Sequence, residues 1–327
     1  MKAALYDRYG PAREVLRVED VERPEPGPGE VRVRVQFSGV NPTDWKSRSG
    51  ATPRPIDGFQ IPHHDGAGVI DAVGAGVEPG RVGQRVWLWM AAAGRRWGTA
   101  AEWTVVPVYA AVPLPDGVSA ELGASLGVPA LTAHRCLFAD GPIEGQTVLV
   151  AGGAGAVGHF AIELAKRAGA RVVSTVSGPQ KAELAAKAGA DLVVNYRQPD
   201  AADQIKSFAG SEGVDRVVEV ALGANLQLDL AVVARPDARI VCYAAEPADS
   251  VLPVRACMNA NVMFRFVLLY GVPADALIQA AGDIADALAD GALTGLPVVR
   301  FPLDETAAAQ DAVEAGAVGK VLVTIPG

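Results

Sequence analysis

The chain has 327 residues, half of them hydrophobic and a fifth charged, which is enough for two globular domains with separate cores. A formal net charge of −8 argues against nucleic acid or an anionic membrane surface as the main partner. Cys136, Cys242 and Cys257 give no disulfide framework, and Arg265 interrupts the longest apolar run, Val262 to Val272, well short of the roughly 20 residues of a membrane span. Asp7 and Arg8, close behind Met1, argue against a secretory leader, so a cytoplasmic protein is expected.

The first third is rich in valine, glycine and proline. Alternating runs such as Glu30 to Phe37 read as short strands. Pro24-Glu-Pro-Gly-Pro-Gly, Pro53-Arg-Pro, Pro79-Gly and Pro115-Asp-Gly break them up, which suggests an irregular β-barrel-like domain. From about Gly123 the texture changes to alternating strands and alanine-rich helices. Val148 to Ala151 reads as a strand, and Gly153, Gly155 and Gly158 follow in G-x-G-x-x-G order. His159 to Ala168 then repeats apolar residues at helical spacing, Gly169 supplies a stop, and Arg171 to Val176 is a second β-branched strand. In that setting the glycines predict a dinucleotide site, because the backbone can approach a pyrophosphate and the helix start offers it unpaired N–H groups.

Further on, a helix over Pro179 to Ala188 is stopped by Gly189, a strand covers Asp191 to Val194, and a helix lies near Asp200 to Phe208. Strands at Val214 to Val220 and Ala238 to Tyr243 complete the pattern of a doubly wound parallel sheet. Beyond Pro297, strands at Val298 to Phe301 and Val321 to Ile325 flank a helix from Asp304 to Ala315. The strand-like stretch Met263 to Gly271 is a candidate for pairing across a two-fold axis, so a homodimer is expected.

The second strand also bears on cofactor choice. NAD sites usually place an acid there to bond the ribose 2′-hydroxyl, but Thr175-Val-Ser-Gly-Pro-Gln-Lys181 has no acid before Glu183. Ser177 and Lys181 suit a 2′-phosphate, so NADPH is the expected cofactor. No G-x-S-x-G elbow is present, and Cys136 beside His134 lies in a helical stretch that reads as core. What remains is hydride transfer, in which the cofactor carries the chemistry.

His64-Asp-Gly-Ala-Gly68, then Gly74 and Val77, follows the spacing of a motif of the zinc alcohol dehydrogenases. A catalytic zinc needs three protein ligands, yet Asn41 and about Val128 stand where that family's cysteines would be. No metal is expected, and His64 reads as a hydrogen-bonded structural residue.

Over nearly its whole length the chain resembles the zeta-crystallin-like quinone oxidoreductases of the medium-chain dehydrogenase/reductase superfamily. The resemblance rests on Gly39-Val-Asn-Pro-Thr-Asp, Arg48-Ser-Gly, Asp65-Gly-Ala-Gly-Val-Ile-Asp-Ala-Val-Gly74, Leu131-Thr-Ala-His-Arg, Lys187-Ala-Gly-Ala, Asn195-Tyr-Arg197 and Gly319-Lys320. It implies an α/β chain: a GroES-like β-barrel-type catalytic domain over 1–123 and 298–327, and a Rossmann domain over 124–297. It implies a zinc-free enzyme that uses NADPH to reduce a small conjugated acceptor. On that similarity Ala154, Gly155, Ala156 and Val157 would cradle the pyrophosphate, and Ser177, Lys181 and Tyr196 would surround the 2′-phosphate. Tyr243 and Ala244 would lie by the nicotinamide ribose and Leu268 and Leu269 by the carboxamide, while Asn41 and Thr132 line the nicotinamide. Lys320 is carried over as a further cofactor residue. Asp44-Trp45-Lys46 departs from the commoner quinone-reductase pattern and is similar to a branch that reduces α,β-unsaturated aldehydes and ketones. Lys46 is therefore a candidate catalytic residue. A quinone is the expected acceptor, an enone the alternative, and a non-catalytic NADPH-binding protein the alternative of another class.

Overall fold

The computed structural model describes residues 1–233, 236–245 and 250–326. The chain divides into two compact units, one of Met1–Val128 with Ala281–Ala289 and Pro297–Gly327, the other of Pro129–Ala280 with Asp290–Leu296. The division falls five residues later than position 123, within the helix Ala120–Phe138, and gives Ala281–Ala289 to the first unit. Asp65 explains the first difference. Its Oδ1 accepts the Val128 N–H at 2.7 Å, and a β-carbon on Gly127 would lie 2.1 Å from the same oxygen. The start of that helix is thereby fastened to the barrel.

In the first unit, β1 (Lys2–Leu5) and β2 (Arg17–Asp20) form an antiparallel ribbon. The long β3 (Glu30–Gly39) buries Val31, Val33 and Val35 on one face, the period-2 pattern of a half-covered strand. It pairs with β4 (Asp65–Val73) and β6 (Trp103–Pro107), while β5 (Arg85–Leu88) joins β4 to β7 (Ala111–Pro113).

The second unit carries β8 (Thr147–Ala151), β9 (Arg171–Val176), β10 (Leu192–Asn195), β11 (Arg216–Glu219), β12 (Arg239–Cys242) and β13 (Met263–Phe266). They form one parallel sheet in the order β10-β9-β8-β11-β12-β13. All of β8 and β11 is buried, as a sheet covered by helices on both faces requires. The helices Ala201–Ala209 and Leu222–Val232 bring Ile205, Leu222 and Leu226 into a core with Leu149, Val173, Val217 and Ile240. Strand order reverses between β8 and β11, and ligands of such sheets bind outside the carboxyl ends at that reversal.

The chain then returns to the barrel. There β15 (Lys320–Thr324) runs antiparallel to β3, and β14 (Val298–Pro302) lies parallel beside β15. Among the described residues no helix is long and apolar enough to cross a membrane.

Candidate active site

The sharp turn after β8 depends on Gly152, which adopts φ +69°, a conformation that side chains with a β-carbon rarely take. The helix that follows, Ala156–Arg167, begins three residues before His159. Its first internal bond joins the His159 N–H to the Gly155 carbonyl at 2.8 Å, so the N–H groups of Ala156, Val157 and Gly158 precede the ladder. At Gly158 a β-carbon would lie 2.4 Å from the Gly152 carbonyl, which explains why this position has none. Gly155 differs. It is exposed, and a β-carbon there would have only the Gly152 carbonyl oxygen near it, at 3.3 Å. An open glycine beside a free helix start fits a pyrophosphate.

At the carboxyl ends of β9 and β10 the structure brings Ser177 and Tyr196 together. The Tyr196 N–H donates to the Val176 carbonyl at 3.2 Å, and the residue is 43% exposed. Arg197, quoted above as part of a motif but assigned no role, donates to the Ser177 carbonyl at 3.2 Å and stacks on the Tyr196 ring at 5.8 Å. Lys181 follows in the first turns of the helix Pro179–Lys187, half-buried. Lys181 and Arg197 thus lie on the segments that follow β9 and β10, and no acid occurs between Thr175 and Lys181.

Next to the reversal, Glu219 ends β11 and is fully buried. Its Oε1 accepts the Ala221 N–H and, at 3.0 Å, the Asn225 amide. Burial raises its pKa, and burial together with Glu219 raises that of Asp229, so the two acids favour a shared proton. Nothing in the local sequence singles out this pair. Tyr243 and Ala244 directly follow β12, with the Tyr243 N–H on the Glu219 carbonyl at 3.1 Å. Leu268 and Leu269 lie beyond β13, the first 71% exposed and the second buried, and Thr132 is buried in the helix Ala120–Phe138.

The barrel unit contains two buried polar chains. In one, the Lys320 ammonium donates to Asn41 Oδ1 at 2.7 Å and to the Val40 carbonyl at 3.2 Å, and lies 3.8 Å from Asp65 Oδ2. Asn41 Nδ2 donates to Asp65 Oδ2 at 2.6 Å, so both ends of the Asn41 amide have fixed partners. Lys320 thus lies within the barrel unit, holding Asn41. Burial lowers its pKa and Asp65 and Asp44 oppose the shift; burial likewise raises that of Asp65. Asn41 also starts the helix Pro42–Ser49, its N–H donating to Asp44 Oδ2 at 2.7 Å. Lys46 sits on that helix, half-buried, its ammonium 5.8 Å from the Trp45 ring centre.

The second chain orients His63. Arg48 Nε can only donate, so Gln310 turns its Oε1 to it at 3.0 Å and its amide nitrogen to His63 Nε2 at 3.2 Å. His63 Nδ1 then carries the proton and donates to Ser38 Oγ at 2.8 Å. Ser38 in turn donates to Thr99 Oγ1 at 2.7 Å, and Thr99 to the Asp65 carbonyl at 2.5 Å. Burial, with Lys320 nearby, pushes the His63 pKa down to about 3. These contacts hold His63 at φ +75°, a strained angle for a residue with a β-carbon. His64 beside it lines a cavity with Tyr6, Asp44, Arg54, Gln60 and His63, and Lys46 is not in that lining. Among the described residues no three His, Cys, Asp or Glu side chains converge as a metal set would.

The alcohol dehydrogenase GroES-like domain family matches residues 27–116, and the zinc-binding dehydrogenase family matches residues 156–284. A quinone oxidoreductase of Rattus norvegicus is 29% identical over 98% of this chain and 96% of its own. An alcohol dehydrogenase of Geobacillus stearothermophilus is 35% identical over 68% of this chain and 71% of its own. A mycobacterial structure solved as a complex with NADPH is 30% identical, covers 99% of both chains and superposes with a TM-score of 0.85. The chain therefore belongs to the medium-chain dehydrogenase/reductase superfamily, in the branch of the zeta-crystallin-like quinone oxidoreductases.

Proposed function

We propose that this chain is an NADPH-dependent, zinc-independent reductase that passes hydride to a quinone. The observation that carries the reading is the open glycine turn at the strand reversal, with Arg197 on the Ser177 carbonyl and no acid between Thr175 and Lys181 after the second strand. Ala154 to Val157 bind the pyrophosphate through backbone N–H groups. Ser177, Lys181 and Tyr196, with Arg197 added, surround the 2′-phosphate; Arg197 already lies on the Ser177 carbonyl and on the Tyr196 ring. Tyr243, Ala244, Leu268, Leu269 and Thr132 enclose the nicotinamide half. When bound, NADPH supplies the hydride, and the protein's part is to orient both partners and exclude water.

Asn41 faces the nicotinamide in this reading, and Lys320 acts through it as a positioning residue, fixing the amide at 2.7 Å. The same ammonium supports zinc independence. It is a resident cation bonded to Asn41 and 3.8 Å from Asp65, so a metal ion beside them would meet a like charge. Lys46 polarises the acceptor carbonyl, a role useful only as charge develops on that oxygen. Asp44-Trp45-Lys46 also supports the second reading, reduction of α,β-unsaturated aldehydes and ketones. We place the protein in the cytoplasm as a homodimer joined along β13, where Met263 and Phe266 are 41% and 65% exposed.

Lys181→Ala tests the cofactor assignment. A charge-assisted contact to phosphate contributes about 1.5–3 kcal/mol, so the KM for NADPH should rise roughly tenfold or more while that for NADH barely moves. Equal losses with both cofactors would remove the 2′-phosphate site.

A further inference from the structure

The buried acids Glu219 and Asp229 take no part in the roles above. Glu219 ends β11, and the helix Leu222–Val232 starts three residues later. The turn between them is irregular. Ala221, at the helix start, has φ −145° and ψ 64°, and its methyl group cannot cap the backbone. The acceptor comes instead from the strand end. Glu219 takes the Val220 and Ala221 N–H groups and, at 3.0 Å, the Asn225 amide. One carboxyl group thus holds both residues of the turn and the helix behind it.

Asn225 and Asp229 are four residues apart on one face of that helix, so Asp229 reaches the same carboxyl group. The two acids are hydrogen-bonded to each other. Ionised carboxylates only accept, so a proton lies between them. Among the described residues no N–H or hydroxyl group reaches the buried Glu219 Oε2 or Asp229 Oδ2. Asp229 therefore serves Glu219 as a donor, which an apolar residue in its place could not do. The turn they hold stands at the strand reversal. β8 and β11 are paired neighbours, and Gly152 and Val220 lie just beyond their ends. Val220 Cγ1 is 3.4 Å from where a β-carbon on Gly152 would be, an ordinary packing distance. Glycine has the freest backbone of any residue, so Val220 supplies contact that Gly152 cannot make with a side chain of its own.

We propose that Glu219 and Asp229 are positioning residues for NADPH: by bracing the Val220–Ala221 turn they hold Val220 against Gly152, and so keep the glycine turn in the shape that receives the pyrophosphate. A turn fixed before the cofactor arrives need not be ordered on binding, and that saving appears as affinity. The proposal rests on the dinucleotide reading of the glycine turn; it is independent of which acceptor takes the hydride.

The test measures NADPH affinity by fluorescence quenching and stability by urea denaturation. It compares the parent with Asp229→Leu, Asp229→Asn, Val220→Ala and the double variant of Asp229→Leu with Val220→Ala. The Kd for NADPH should rise about fivefold or more in Asp229→Leu and in Val220→Ala. Asp229→Asn, whose amide donates where the proton did, should stay within about twofold of the parent. Because the pair acts through Val220, the double variant should bind about as weakly as the weaker single variant. A brace for stability alone would lower the urea midpoint of Asp229→Leu and leave its Kd unchanged, and that result would overturn the proposal. Multiplied losses in the double variant, or Asp229→Asn binding as weakly as Asp229→Leu, would overturn it too. If Asp229→Leu does not fold, Val220→Ala decides, and a Kd equal to the parent's overturns the proposal. A parent that binds no NADPH removes the dinucleotide reading and the proposal together, whereas equal binding by the parent and every variant removes the proposal alone.

Discussion

Gly155→Ala separates the fold of the glycine turn from its use. The residue has φ −82° and ψ 161°, which alanine adopts freely, and the nearest atom to a new β-carbon is the Gly152 oxygen at 3.3 Å. That neighbour must yield by only a few tenths of an ångström, so the unliganded protein should keep its stability to within about 0.5–1 kcal/mol. The methyl group would nevertheless stand on the exposed face of the turn, where the pyrophosphate must approach. A displaced contact of about 1.5–3 kcal/mol corresponds to a rise in Kd of roughly tenfold to a hundredfold. Gly158→Ala should behave in the opposite way. Its β-carbon would meet backbone at 2.4, 2.8 and 2.9 Å, and overpacking of that kind costs about 1–3 kcal/mol, against about 1 kcal/mol gained from alanine's helix propensity. Urea denaturation gives the stabilities, and quenching of intrinsic fluorescence by NADPH gives the affinities. If Gly155→Ala binds NADPH as the parent does, the turn is not the pyrophosphate cradle.

Other consequences are as direct. Asp44, at about 8 in the folded protein against 3.8 ordinarily, binds its proton more tightly when folded. Its contribution to stability is therefore full below about pH 4 and is lost as pH rises to about 8; Asp44→Asn should flatten that decline in denaturant titrations. His63 and His64 act in the opposite sense, since their folded values near 3 remove stability as pH falls below about 6.5. Dialysis against a strong chelator should leave activity intact, and a loss restored by added zinc would refute the role given to Lys320. Phe266→Glu, on the open edge of β13, should convert a sedimenting dimer to a monomer; a parent that already sediments as a monomer would end the homodimer proposal.

The parts of this protein that were legible in its sequence are those set by neighbours along the chain. β8 announces itself by the apolar run Val148–Ala151 and β9 by its β-branched residues Val172, Val173, Thr175 and Val176, because both faces of the sheet are covered. The helix after β8 could be placed but not its first turn. Gly155, Ala156, Val157 and Gly158 carry no capping side chain, and the residue that makes the turn is Gly152, outside the motif as spaced. The helix Leu222–Val232 left no periodic trace, since Leu222, Leu226, Leu228 and Leu230 surround its axis and the buried Asp229 interrupts the apolar face. The barrel site was the least legible part. His63 meets Gln310 across 247 positions and Lys320 meets Asn41 across 279, so no local pattern could have joined them.

The central claim is that NADPH held by this chain gives up hydride to a conjugated acceptor. It is tested by a single-turnover experiment in which the metal-depleted, NADPH-loaded protein is mixed with naphthoquinone and the dihydronicotinamide absorbance is followed. NADPH deuterated on either face of the ring gives the companion traces. The account predicts rapid loss of absorbance, slowed by deuterium on one face only, with that label leaving the cofactor. Tight NADPH binding with no oxidation beyond the protein-free control would contradict it and leave a binding protein in place of an enzyme.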